Sequence, residues 1–176
     1  TPVLGLISLV LVKKYLGYEA VGMLAFAFSF VAVFSFLGDL GLSNAHTKKS
    51  NEKGMDEGKC NGTFVTLKLI LSFVTVFAVI SFLFIQKHFF NYEFENQIID
   101  TLIIIAIVRL FLLNIKSIYA TLITAKTEIA LGFVPIMIAA LAKFLLKVIF
   151  LVLGFGIASI AGAELIGSLI LVILCL

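Results

Sequence analysis

Charge is what this chain has least of. Of its 176 residues only 13% are Asp, Glu, Lys or Arg, against 62% hydrophobic, and the mean hydropathy is +1.21. A soluble domain of this size needs far less apolar surface. The composition therefore excludes a soluble catalytic domain and points to an integral membrane protein built of helices. The net charge of only +3 excludes a polybasic nucleic-acid binder. Cysteine is nearly missing too. Cys60 and Cys175 lie far apart and form no C-x-x-C, so both read as free thiols, with no disulfide framework and no metal site. His46 and His88 stand alone in loops without partners at metal-ligand spacing, and no nucleophile–base pair is visible. Gly54-x-x-x-Gly58-Lys59-Cys60 fails as a phosphate loop: a Walker A places four residues between its glycines and Ser or Thr after its Lys. The reading is a non-enzyme that needs no metal or cofactor.

What is present is a series of long apolar runs. They predict about six transmembrane helices, at about 1–12, 19–37, 63–85, 98–125, 127–153 and 157–176. The first run is too short to span. Together with the start at Thr1 and the abrupt end at Leu176, this reads as a fragment of a larger transporter-sized chain. Lys13-Lys14-Tyr15-Leu16-Gly17 has the basic and aromatic character of a membrane boundary. So do Phe89, Phe90, Tyr92 and Phe94 after the third run. Pro135 is expected to kink the fifth helix. Gly154-Phe155-Gly156 makes the fifth and sixth a tight antiparallel hairpin. Ser159, Ala163 and Gly167, four apart, form a small-residue packing stripe.

The segment 38–62 is polar throughout. With the 4–5 turn it carries Lys48, Lys49, Lys53, Lys59 and Lys126, against Lys13, Lys14 and Lys87 in the opposite loops. That excess places the 38–62 loop in the cytoplasm. Lys68, about a turn and a half inside the third helix, is expected to snorkel outwards.

The few charges at bilayer depth carry the functional reading. Arg109 and Lys116, seven residues apart, fall within about 20° of each other around a helix axis and form one basic stripe on an apolar helix. Each cation at that depth costs roughly 2.5–3.5 kcal/mol on insertion scales, so neither is left facing lipid. Lys143 and Lys147 share a face of the fifth helix at i, i+4, and Glu164 is the one acid deep in the sixth. Counted outwards from Phe155, Lys147 and Glu164 reach similar depth and are expected to form a structural ion pair. Arg109, Lys116 and Lys143 then remain without an evident partner. Either neighbouring helices satisfy them, or they line an electropositive cavity for an anion such as a phosphate or pyrophosphate.

Two stretches resemble a known family. Lys14-Tyr15-Leu16-Gly17, followed by Gly22, is similar to the R-Y-L-G-P…G stretch after the first helix of O-antigen-type polysaccharide flippases. Phe36-Leu37-Gly38-Asp39-Leu40-Gly41-Leu42-Ser43-Asn44-Ala45 resembles the L-x-D-x-G-L-x-x-A end of their second helix. Lys14 stands for the usual Arg and Tyr18 for the usual Pro. These flippases belong to the multidrug/oligosaccharidyl-lipid/polysaccharide exporter superfamily. The resemblance implies an all-α polytopic bundle, this chain forming most of one lobe of a two-lobe exporter, monomeric with a missing C-terminal lobe. It implies alternating access that flips a polyprenyl-pyrophosphate-linked oligosaccharide across the plasma membrane. It adds Lys14 to the basic residues expected to meet the substrate.

Two other functions compete. A multidrug/cation antiporter of the same superfamily calls for buried carboxylates, whereas the deep charges here are mostly positive. A membrane-embedded glycosyl- or phosphotransferase calls for acidic metal-binding motifs, and Asp56-Glu57 stands without a D-x-D or a companion cluster.

Overall fold

The computed structural model describes residues 2–52, 56–89, 97–125 and 129–175. Among these the chain is helical almost throughout and has no strand. The elements are α1 (Pro2–Val33), a short 3₁₀ turn (Phe34–Gly38), α2 (Leu42–Ser50), α3 (Glu57–Phe89), α4 (Gln97–Ala125), α5 (Ile129–Val152) and α6 (Ile157–Cys175). Lys53, Lys126 and the aromatic anchors Phe90, Tyr92 and Phe94 lie outside the described residues.

Among the described residues, five helical stretches are long and apolar enough to cross a membrane. The count is one below the six expected because the runs at 1–12 and 19–37 fall in one helical stretch, Val3–Ser50, most of it α1. That element is broken at Gly17, whose φ of 85° and ψ of 177° are open to glycine and disfavoured for side chains with a Cβ. Gly5, Ser8 and Val12 before the break line one cavity of about 250 Å³ with Val21, Ala25 and Phe28 after it. On a straight helix Gly5 and Phe28 would stand about 35 Å apart. The chain therefore doubles back at Gly17 into two antiparallel arms. Lys13 Nζ closes the reversal, 4.4 Å from the centre of the Tyr18 ring.

The segment 38–62 is more structured than its polarity suggests. It contains α2, and α3 begins at Glu57 rather than near residue 63. Asp56 explains the early start: its Oδ1 accepts the Lys59 backbone N–H at 3.2 Å, satisfying one of the orphan donors at a helix N-terminus. The α5–α6 hairpin closes by a Schellman turn. Gly154 takes φ 72°, its N–H donates to Leu151 O at 3.2 Å, and Phe155 N–H donates to Phe150 O at 3.0 Å. The Phe150 and Phe155 rings meet edge to face across it. Pro135 lies within α5, which is helical on both sides of it.

Helix α4 sits centrally and packs on α1, α3 and α6. Its buried residues Leu102, Ala106, Leu110, Asn114 and Ile118 recur every four positions as one stripe. Around it, Ala27, Ala106, Ala161 and Ala163 are almost fully enclosed. Lipid offers no hydrophobic drive for helices to associate, so close approach at small residues holds such a bundle together. The outward faces are apolar: Leu6, Phe77, Ile104, Leu145 and Ile173 are all exposed. A surface of that kind is stable against hydrocarbon and not against water.

Candidate functional site

The deep charges converge on one carboxylate. Glu164, on α6, is reached by Lys147 and Lys143 from α5 and by Arg109 from α4. Lys147 Nζ donates to Oε1, Lys143 Nζ lies 3.1 Å from Oε2, and Arg109 Nε lies 3.5 Å from Oε2. The expectation that Arg109 and Lys143 lack a carboxylate partner is thus corrected. Counting from the turn fixes depth along α5 and α6. Which flank of α4 meets α6 is decided by packing, and it brings Arg109 in. Arg109 also lies over the Phe28 ring, its Cζ 5.0 Å from the ring centre, a cation–π contact with the second arm of α1.

Three cations around one carboxylate leave a local excess of two positive charges (3 − 1). Arg109 Nε and Glu164 Oε2 are buried and make no directed hydrogen bond, so their contact is Coulombic. The cluster borders open space. Lys147 and Glu164 line the 250 Å³ cavity between the two arms of α1, and Lys143 joins them in an adjoining one of about 70 Å³. Ser8 lines both, and its buried Oγ has no hydrogen-bond partner.

Glycine sets the position of Lys143. A Cβ at Gly167 would stand 2.7 Å from Lys143 Cβ, so the absence of a side chain there lets the lysine stem cross α6 towards Glu164. Lys116 is not brought to the cluster. It lies seven residues along α4, about 10 Å from Arg109, without an ion pair among the described residues. Lys14 is exposed near the Gly17 reversal, also away from Glu164.

A second polar group was not foreseen. Lys68 does not snorkel; it is 1% exposed. Its Nζ donates to the Asp39 carboxylate, to Gly38 O at 3.2 Å and to Ser117 Oγ at 3.2 Å. A Cβ on Gly38 would collide with the Asn114 side chain at 2.7 Å, so glycine there brings the 3₁₀ turn against α4. Two helices and the 3₁₀ turn meet at this lysine. Its signal in the sequence was a lone cation inside an apolar run with a lone acid, Asp39, closing the run before it. His46 is likewise not a free loop residue: it is buried on α2 against Phe64 and Cys60.

No curated protein and no solved structure matches the chain. One family model does, that described as polysaccharide biosynthesis protein, and it covers residues 1–176. The chain is a membrane protein that belongs to the polysaccharide biosynthesis protein family.

Proposed function

We propose that the chain is part of a flippase that carries a polyprenyl-pyrophosphate-linked oligosaccharide across the plasma membrane by alternating access, without enzymatic turnover. The observation that carries this reading is the unbalanced charge at Glu164. One carboxylate against Arg109, Lys143 and Lys147 holds the cations in place and leaves capacity for an anion. An arriving pyrophosphate competes with Glu164 for the same donors. Two charge-assisted contacts would contribute roughly 1.5–3 kcal/mol each. Lys147 stays with Glu164 as the structural pair, while Arg109 and Lys143 turn to the head group. Lys116, on the same flank of α4, and Lys14, at the Gly17 reversal, serve it at other depths along its path. The lipid tail stays in the bilayer, and the C-terminal lobe of a full-length monomer closes the cavity. A cation antiporter is disfavoured because Glu164, the deep acid of α6, is already covered by three cations.

Surface polysaccharide restored in a flippase-deficient cell by the full-length protein tests this. Arg109→Ala with Lys143→Ala should abolish restoration at normal expression, and Arg109→Lys should recover it in part, since Lys keeps the charge and loses the fork of donors. Full restoration by the double variant would leave the cations purely structural.

A further inference from the structure

Away from Glu164, a cavity of about 340 Å³ lies between α2 and the start of α3. Its walls are of two kinds. Leu42, Phe64 and Leu67 are apolar, whereas His46, Lys49 and Lys59 bring nitrogen. His46 is 5% exposed, its ring stacks on Phe64 with centroids 4.2 Å apart, and its Nδ1 lies 3.6 Å from Cys60 Sγ. Its other nitrogen, Nε2, is buried without a hydrogen-bond partner. Lys49 and Lys59 add ammonium groups. Lys59 also leans on Asp56 at 3.7 Å, an exposed contact too loose to fix it.

The charged groups lining the cavity are all positive. A fitting ligand accepts hydrogen bonds, is negative, and has an apolar part for Phe64 and Leu67. The apolar wall also continues outwards. Leu67, Ile70 and Val74, all exposed, run along one face of α3 from the cavity into its membrane-crossing stretch. We infer that this cavity binds an anionic phospholipid, its phosphate on Lys49 and Lys59 beside the His46 ring and an acyl chain along Phe64, Leu67 and Ile70. The site is independent of the Glu164 cluster and ties α2 to the membrane surface.

The intact protein carrying Cys175→Ser is labelled at Cys60 with a maleimide in detergent, with short-chain phosphatidylglycerol, short-chain phosphatidylcholine or inorganic phosphate added. At about ten times its Kd the anionic lipid should slow labelling about tenfold by occupancy, and the other two should not. Native mass spectrometry of the same samples should retain one phosphatidylglycerol. His46→Phe keeps the stacked ring and removes both nitrogens. Combined with Lys49→Gln and Lys59→Gln, it should lose both the protection and the retained lipid at an unchanged melting temperature. Equal protection by phosphatidylcholine would reduce the cavity to an apolar groove and overturn the assignment. Protection by inorganic phosphate alone would overturn it in favour of a free-anion site. Absence of retained phosphatidylglycerol, or its retention by the triple variant, would also overturn it.

Discussion

Lys68 and Asp39 form an unequal pair: the lysine side chain is 2% exposed and the aspartate side chain 41%. The lysine depends on the aspartate far more than the reverse. Asp39→Ala strands a buried cation with only Gly38 O and Ser117 Oγ as acceptors. Breaking a fully buried pair costs about 3–5 kcal/mol, and the half-exposed aspartate lowers that to roughly 2–3 kcal/mol. Lys68→Met removes the charge, keeps much of the volume and leaves an aspartate that water reaches. Its cost should be below about 1.5 kcal/mol. Thermal unfolding in detergent ranks the two, and Lys68→Met as the more damaging change would refute this account.

The fold was legible where hydropathy speaks and obscure where polar residues fold. The apolar runs ended close to the bounds of α4, α5 and α6 because lipid-facing and buried residues are equally apolar there. The break at Gly17 was visible as a boundary cluster, yet hydropathy does not say whether one helix ends or doubles back. Helix α2 was hidden because its polar sequence resembles a loop; its docking of His46 onto Phe64 and its packing against α4 show what orders it. Among the deep charges, spacing alone put Lys143 and Lys147 on one face and set Glu164 at the depth of Lys147. Arg109 joined through the rotation of α4 about its axis, which depends on every neighbour it packs against.

Gly167 should be intolerant of a methyl group. Gly167→Ala sets a Cβ 2.7 Å from Lys143 Cβ and 3.0 Å from its Cγ. The helices must part or Lys143 must leave Glu164, at about 1–3 kcal/mol for overpacking. Adding Lys143→Ala should recover only part of the loss, because alanine keeps the colliding Cβ. Melting temperatures of the single and double variants decide it; full recovery would place the strain elsewhere.

The membrane orientation proposed from loop charge is testable at exposed sites. Cys60 lines the cavity between α2 and α3, so its labelling would report occupancy of that cavity rather than membrane side. Glu52→Cys, exposed just after α2, should resist a membrane-impermeant maleimide in intact cells and react once they are permeabilised. Lys87→Cys, exposed near the far end of α3, should react in both. Labelling of Glu52→Cys in intact cells would invert the topology.

Glu164 holds three cations together, so its loss should exceed the loss of any one of them. Glu164→Gln keeps the shape and removes the charge, leaving Arg109, Lys143 and Lys147 to repel one another in an apolar setting. Lys147→Met instead removes one cation from a set in excess, and Glu164 still has Lys143 at 3.1 Å and Arg109 at 3.5 Å. Glu164→Gln should therefore cost about 3–5 kcal/mol, in the range for a stranded buried charge, and Lys147→Met about half as much or less. The double variant should be less unstable than the sum, with a coupling of about 0.5–3 kcal/mol, because it removes one of the three cations left unscreened. Unfolding of all four proteins in the same detergent closes the cycle. Additive losses would mean that Lys147 and Glu164 do not sense each other. A milder Glu164→Gln than Lys147→Met would mean that the carboxylate is not what keeps the cations in place.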